Sequence, residues 1–199
     1  MNESQIIVLE GLDKAGKGTQ CRLLHNAIRK AGMDCIILDF PDYSTPIGKE
    51  IRLFLDGKRS YSKEVQHLLL SVNRWEKKEE IEKLRKSGTM IIMDRYYPSN
   101  LVYGISHNLD LNWLINLDKG LPQEDLVIIL EIDPETSYKR VNYNRDIFEK
   151  NLEFLLTVKQ NYRKLSKVYE WKIINGEENV EKIHYKICAL IKEKLNISI

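Results

Sequence analysis

The chain alternates short apolar runs with longer stretches of helical spacing. Five runs rich in Ile, Val and Leu stand out: "QIIVLE" (5–10), "CIILDF" (35–40), "TMIIMD" (89–94), "LVIILEI" (126–132) and "WKIIN" (171–175). Unbroken apolar runs of this length suit strands covered on both faces, hence a parallel sheet. The patterns between them are helical, and the alternation predicts a doubly wound α/β fold: a five-stranded parallel sheet flanked by helices on both faces. The clearest helix covers 62–87, where Val65, Leu68, Leu69, Val72 and Trp75 keep the 3.6-residue period and form one stripe. Leu70 and Arg74 lie one turn apart on roughly the opposite face. That face reads either as an ordinary solvated surface or as a second buried face that meets a ligand. "GLP" at 120–122 ends a helix before the fourth run, and "KRVNYNRDIFEKN" (139–151), basic and weakly periodic, reads as a mobile segment joining two helices.

Composition narrows the classes. With 199 residues, 43% hydrophobic and 30% charged, the chain suits one soluble domain spanning 1–199. A net charge of +2 is too small to argue for nucleic acid or a membrane surface as partner. No run approaches the ~18 apolar residues of a membrane span. The N-terminus has no basic region before its short apolar run, so it does not read as a signal peptide. Cys21, Cys35 and Cys188 form no CxxC pair and no even set, which points to reduced thiols in a cytoplasmic protein. Cys21 falls in the first helical turn after a glycine-rich loop, a setting that can acidify a thiol. His25, His67, His107 and His184 fit no metal-ligand spacing and receive no role.

That loop carries the chemistry. In "EGLDKAGKGTQ" (10–20), Gly11-x-x-x-x-Gly16-Lys17 follows an apolar strand and opens a helix, the context of a phosphate-binding loop over 11–19. The glycines turn backbone N–H groups towards an anion, the helix N-terminus adds its positive end, and Lys17 supplies a point charge to the outer phosphates. Gly18 stands where a Ser or Thr hydroxyl would bind Mg²⁺. Either Thr19 takes over part of that task, or Mg²⁺ keeps most of its waters and is held mainly by the nucleotide. The "GKGTQ" form is similar to that of adenylate kinases, which the resemblance implies work without the hydroxyl. On the other side, "NRWE" (73–76) sits on the long helix and "MDRYYPSNLVYG" (93–104) starts at the end of the third strand, where open α/β sheets bind ligands. Lys17, Arg74 and Arg95 thus put three cations at the sheet's ligand edge or on a face turned towards it.

"EGLDKAGKGTQ", "DFPDYSTPIGK", "HLLLSVNRWE", "DRYYPSNLVY" and "GLPQEDLVIILEI" together resemble the thymidylate kinases, P-loop nucleoside monophosphate kinases, over nearly the whole chain. The resemblance implies transfer of the γ-phosphoryl group of ATP to dTMP, with Mg²⁺, in a homodimer built by packing long helices. The apolar stripe on 62–87 fits that dimer and fits burial on its own sheet equally. By the resemblance, Gly11, Leu12, Asp13, Lys14, Ala15, Gly16, Lys17, Gly18 and Thr19 hold ATP, with Arg140 from the basic segment. Lys17, Arg95, Asp13 and Arg145 are the implied catalytic set, Arg95 bridging the two phosphates and Arg145 arriving as 139–151 closes as a lid. Asp13 would bond the sugar 3′-OH, Phe40–Pro41 would shape the acceptor pocket through a cis peptide, and Tyr43 would approach the acceptor phosphate. Arg74, Asn100 and Ser99 would make polar contacts at the base, and Tyr103 would close on the sugar 2′ position. Asp94 is similar to the acidic residue that meets Mg²⁺ through water in related folds; a structural bond to the loop is its other reading.

Two positions depart from the family pattern. Leu70 stands where a Phe commonly stacks on thymine, which leaves a different or broader base preference as the alternative. Lys14 and the lid arginines both offer a cation that members usually supply from one side only. No general base is expected, because a monophosphate with a second pKa of ~6 is already a dianionic nucleophile at pH 7. A GTP-binding switch would need Asn-Lys-x-Asp; "NLDK" (116–119) has the wrong order. A scaffold without turnover would leave the three cations unexplained.

Overall fold

The computed structural model describes residues 4–140, 147–148 and 151–199, apart from the side chain of Tyr138. All five apolar runs are strands: β1 (Ile6–Glu10), β2 (Cys35–Asp39), β3 (Met90–Asp94), β4 (Leu126–Glu131) and β5 (Lys172–Asn175). They form one parallel sheet in the order β2-β3-β1-β4-β5. β1, β3 and β4 are buried almost throughout, as unbroken Ile/Val/Leu runs require. The edge strands are not: β2 is mostly half-exposed and β5 has one buried residue of four, so there the apolar run overstates burial.

Nine helices connect and flank the strands among the described residues: α1 (Lys17–Lys30), α2 (Pro46–Leu55), α3 (Lys63–Trp75), α4 (Lys78–Lys86), α5 (Tyr97–Ser106), α6 (Leu111–Leu117), α7 (Pro134–Arg140), α8 (Leu152–Val168) and α9 (Val180–Leu195). Side-chain caps start several of them, including Thr45 on α2, Ser62 on α3 and Asn151 on α8. The step from β1 to β2 runs one way along the sheet and every later step runs the other. Right-handed crossovers therefore place α1 on one face, where α9 packs beside it, and α4, α5 and α8 on the opposite face. The direction reverses beside β1, and a crevice opens there at the strand ends.

The stretch 62–87 departs from the single helix predicted. It is two helices, α3 and α4, broken at Glu76–Lys77. The break is tertiary: Lys77 Nζ lies 2.9 Å from Asp42 Oδ2, and Asn73 ties the end of α3 to the same loop through Asp42 N at 2.8 Å and Thr45 Oγ1 at 2.9 Å. The stripe does not face the sheet. Val65, Leu68, Val72 and Trp75 are 36–42% exposed, while Gln66, His67, Ser71, Asn73 and Arg74 are buried. The buried face of α3 is its polar one.

Candidate active site

The loop after β1 is shaped by what it crosses. Gly11 has φ 133°, and a Cβ there would fall 2.3 Å from the carbonyl oxygen of Leu130 on β4, so only glycine fits. Gly16, at φ 96°, leads into α1 with no side-chain cap bond, leaving the helix's first N–H groups for an anion. Lys17 is buried; its Nζ donates to the carbonyl oxygens of Leu12 at 3.0 Å and Gly11 at 3.3 Å and lies 3.8 Å from Asp13 Oδ1. Burial, then Arg95, push its pKa down against the pull of Asp13. α7 braces the loop from above: Ser137 Oγ donates to the Asp13 carbonyl at 2.7 Å and Arg140 Nη1 to the Lys14 carbonyl at 3.0 Å.

Arg95 follows β3 in a left-handed conformation, φ 70°. Its Nη2 donates to Asp13 Oδ1 at 2.5 Å, its Nη1 to Ser99 Oγ at 3.0 Å, and its Cζ sits 5.7 Å from the Tyr103 ring centre. Burial opposes its charge, yet Asp13 above all keeps its pKa well over the ordinary value. The same pair acts on Asp13: burial pushes its carboxyl up, and Arg95 with Lys17 pulls it down to about 2.

Two clefts meet here. One is lined by Lys14, Gly16, Lys17, Gly18, Thr19, Arg22, Asp39 and Asp94. The other is lined by Leu55, Leu70, Arg74, Tyr96, Ser99, Asn100, Tyr103 and Phe148. Asp13, Phe40, Pro41, Tyr43 and Arg95 line both. Phe40–Pro41 is cis, as expected. In the first cleft a Cβ on residue 18 would sit 3.3 Å from Asp94 Oδ2, so Gly18 leaves this carboxylate open to the loop. Thr19 Oγ1 lies 3.5 Å from Arg22 Nη2.

In the second cleft Arg74 is buried and held by Asp118: Nε donates to Oδ1 at 3.1 Å and Nη2 to Oδ2 at 2.7 Å, with Ser71 Oγ adding a bond to Oδ1 at 2.8 Å. Asn100 is also fixed from behind. Its Oδ1 is 2.6 Å from His67 Nδ1 and its Nδ2 donates to the His67 carbonyl at 3.3 Å. An amide oxygen only accepts, so His67 carries its proton on Nδ1 and takes a bond from His107 Nδ1–H at 3.1 Å through Nε2. Ser99 serves Arg95 more directly than it serves a base. Leu70 is half-buried in the cleft wall, and the aromatic surface around it comes from Phe40, Tyr96, Tyr103 and Phe148.

Most of the expected residues therefore converge on the two clefts, from Asp13, Lys14, Gly16, Lys17, Gly18, Thr19 and Asp94 to Leu70, Arg74, Ser99, Asn100 and Tyr103. Gly11, Leu12 and Ala15 form the loop's buried back. Arg140 contacts loop backbone, and Arg145, with most of 139–151, lies outside the described residues. Cys21 corrects the expectation of an acidified thiol: it is buried in α1, and burial, with Asp94 and Asp39 nearby, pushes its pKa up. Phe148 and Asp118 were not anticipated. Phe148 falls inside the basic stretch, where a lone ring carries no periodic signal; Asp118 lies in "NLDK", whose only local reading was a guanine motif out of order.

The sequence model of the thymidylate kinase family matches residues 9–187. A thymidylate kinase of Dictyostelium discoideum is 36% identical over 92% of this chain and 83% of its own length. A probable thymidylate kinase of Thermococcus onnurineus is 38% identical over 95% of this chain and 98% of its own. The solved structure of the Candida albicans thymidylate kinase superposes with a TM-score of 0.87 at 31% identity, covering 98% of this chain and 93% of that one. With this span of matching sequence and the same fold, the chain belongs to the thymidylate kinase family.

Proposed function

We propose that this protein transfers the γ-phosphoryl group of ATP to dTMP, giving dTDP and ADP. The observation that carries the reading is the meeting of a phosphate-loop cleft with an apolar, arginine-bearing cleft at Arg95 and Asp13. A donor laid along Lys17 and the α1 N-terminus brings its γ-phosphate to that junction. An acceptor with its base against Leu70, Arg74 and Asn100 brings its phosphate to the same place from the other side. One phosphate oxygen of dTMP attacks the γ-phosphorus as the bond to ADP breaks, with no proton to remove. Two polyanions must approach, and Arg95 between them with Lys17 beneath supplies positive charge where it builds up. Lys14, Arg140 and, from the closing segment 139–151, Arg145 are the further cations assigned to ATP. Tyr43 and Tyr103 flank the acceptor, and Asp13 orients its sugar.

Mg²⁺ fits this site through one carboxylate. Asp94 faces the space beside Gly18, and among the described residues no cluster of three or more His, Cys, Asp or Glu stands ready to ligate a metal. Asp94 would hold the hydrated ion through water, with Thr19 beside it. When bound, Mg²⁺ neutralises and aligns the donor phosphates.

The reading extends to a single catalytic domain over 1–199, closed by a lid at about 139–151. Two copies pair through the exposed stripe of α3. Three unpaired cysteines suit the reducing cytoplasm, and among the described residues no helix is long and apolar enough to cross a membrane. Nucleotides are the only partners the site calls for.

The test is ADP release from ATP and Mg²⁺ with dTMP, dUMP, dGMP, dCMP, AMP or UMP offered singly. Strongest stimulation by dTMP is expected. No stimulation by any of them rejects the kinase reading; preference for a purine rejects thymidylate while sparing the fold.

A further inference from the structure

Glu10 ends β1 and has no solvent exposure. Its carboxylate gathers three elements. Oε1 accepts from the backbone N–H of Tyr96 at 2.9 Å and of Ser99 at 3.1 Å, at the start of α5, where the cap residue Tyr96 makes no side-chain cap bond. Oε2 accepts from Ser99 Oγ at 2.6 Å and from the hydroxyl of Tyr162, on α8, at 2.8 Å. Ser99 Oγ in turn accepts from Arg95 Nη1, and that nitrogen lies 3.9 Å from Oε2. A carboxylate taken out of water is costly unless its bonds are complete, and an apolar residue would serve the sheet alone better. Here the bonds are complete: three come from the segment that follows Arg95 and the fourth from Tyr162 on α8. Arg95 needs such support. Its backbone is left-handed, and its guanidinium is pulled towards Asp13 on the other side.

We propose that Glu10 is a positioning residue for phosphoryl transfer. It holds the Arg95 guanidinium at the junction of the two clefts, with Ser99 as relay. Through Tyr162 it ties that arginine to α8, the helix that follows 139–151. This rests on the reading of Arg95 as the cation that bridges both phosphates.

A double-mutant cycle tests it. Glu10→Gln keeps the shape but removes an acceptor and a negative charge from the Oε2 side. With Arg95 present, kcat should fall on the order of 10–100-fold, the scale of lost orientation, while KM for ATP and dTMP moves less than about threefold. In an Arg95→Ala background the same substitution should lower kcat by less than about threefold, because Glu10 acts through Arg95. Equal losses in both backgrounds, or an effect confined to KM, overturn the proposal. If Glu10→Gln does not fold, Tyr162→Phe, which deletes one hydroxyl, runs the same cycle. A kcat loss only where Arg95 is present supports the tie, and no loss in either background removes it. Full kcat in Arg95→Ala alone would instead reject the bridging reading, and that result is read before the cycle is closed.

Discussion

Arg74 and Asp118 set a single fixed charge in the wall of the second cleft. The pair is almost wholly buried, and two parallel N–H···O bonds fix the plane of the guanidinium. Nε and Nη2 are spent on Asp118, which leaves Nη1 as the nitrogen for a carbonyl in the acceptor cleft. Removing Asp118 should therefore harm stability and recognition together. Asp118→Ala leaves a buried cation unpaired, so unfolding free energy should drop by about 3–5 kcal/mol in chemical denaturation. The remaining folded enzyme should show a KM for dTMP raised tenfold or more, with KM for ATP little changed. An unchanged KM for dTMP would mean that Arg74 does not read the base. Arg74 is legible in the sequence because it stands in "NRWE" one turn from Leu70. Asp118 is not, since the contact spans 44 positions and its neighbours "NLDKG" look like any turn. Glu10 did leave a mark, an acidic residue closing an otherwise apolar strand, but only the fold shows which donors it meets.

Between elements, the polar face of α3 is keyed to α5 by His67 and His107. Burial lowers the His67 pKa to about 4, with Arg74 and Lys63 adding to the effect against the bond from Asn100. Burial likewise lowers His107 to about 3, aided by Lys63. The sign follows from linkage. Below pH ~6.5 the unfolded chain takes up a proton that the folded His67 refuses, so stability is full above that pH and declines towards pH ~4. At up to ~1.4 kcal/mol per pH unit, and less near each pKa, His67 alone removes roughly 2 kcal/mol between pH 6.5 and 4.5. His67→Gln keeps a donor for Asn100 and does not titrate. Urea unfolding at pH 7 and 4.5 should show a markedly smaller difference in the variant, and an equal difference would place the titration elsewhere. Neither histidine announces this in the sequence, where they stand 40 positions apart with no ligand-like spacing. The strands were legible for the opposite reason. A residue covered on both faces must be apolar, so composition alone marks β1, β3 and β4. The break between α3 and α4 was hidden because no Gly or Pro makes it; ties from Asn73 and Lys77 to the 42–45 loop do.

For the whole molecule, periodicity reports which side chains share a face but not what covers it. On α3 the usual inference inverts: the apolar stripe looks outward, and polar residues fill the cleft on the other side. Four apolar side chains on one face of α3 make a surface that water covers poorly. Its match to the same surface on a second copy would bury it about a two-fold axis, as closed symmetric pairs do. Such a pairing would couple assembly to the second cleft, because α3 carries Leu70 and Arg74 on its inner side. Leu68→Glu places a charge at the centre of the stripe without touching the core. Light scattering after gel filtration should give twice the chain mass for the unaltered protein and a single chain mass for Leu68→Glu. Its melting temperature should fall with dilution less steeply than that of the parent, since a monomer has no association to lose. KM for dTMP should rise as α3 loses its outer support, while KM for ATP, bound on α1 and the loop, stays near the parent value. A parent protein that is monomeric at micromolar concentration would overturn the pairing, and a monomeric Leu68→Glu with unchanged kinetics would uncouple it from the site.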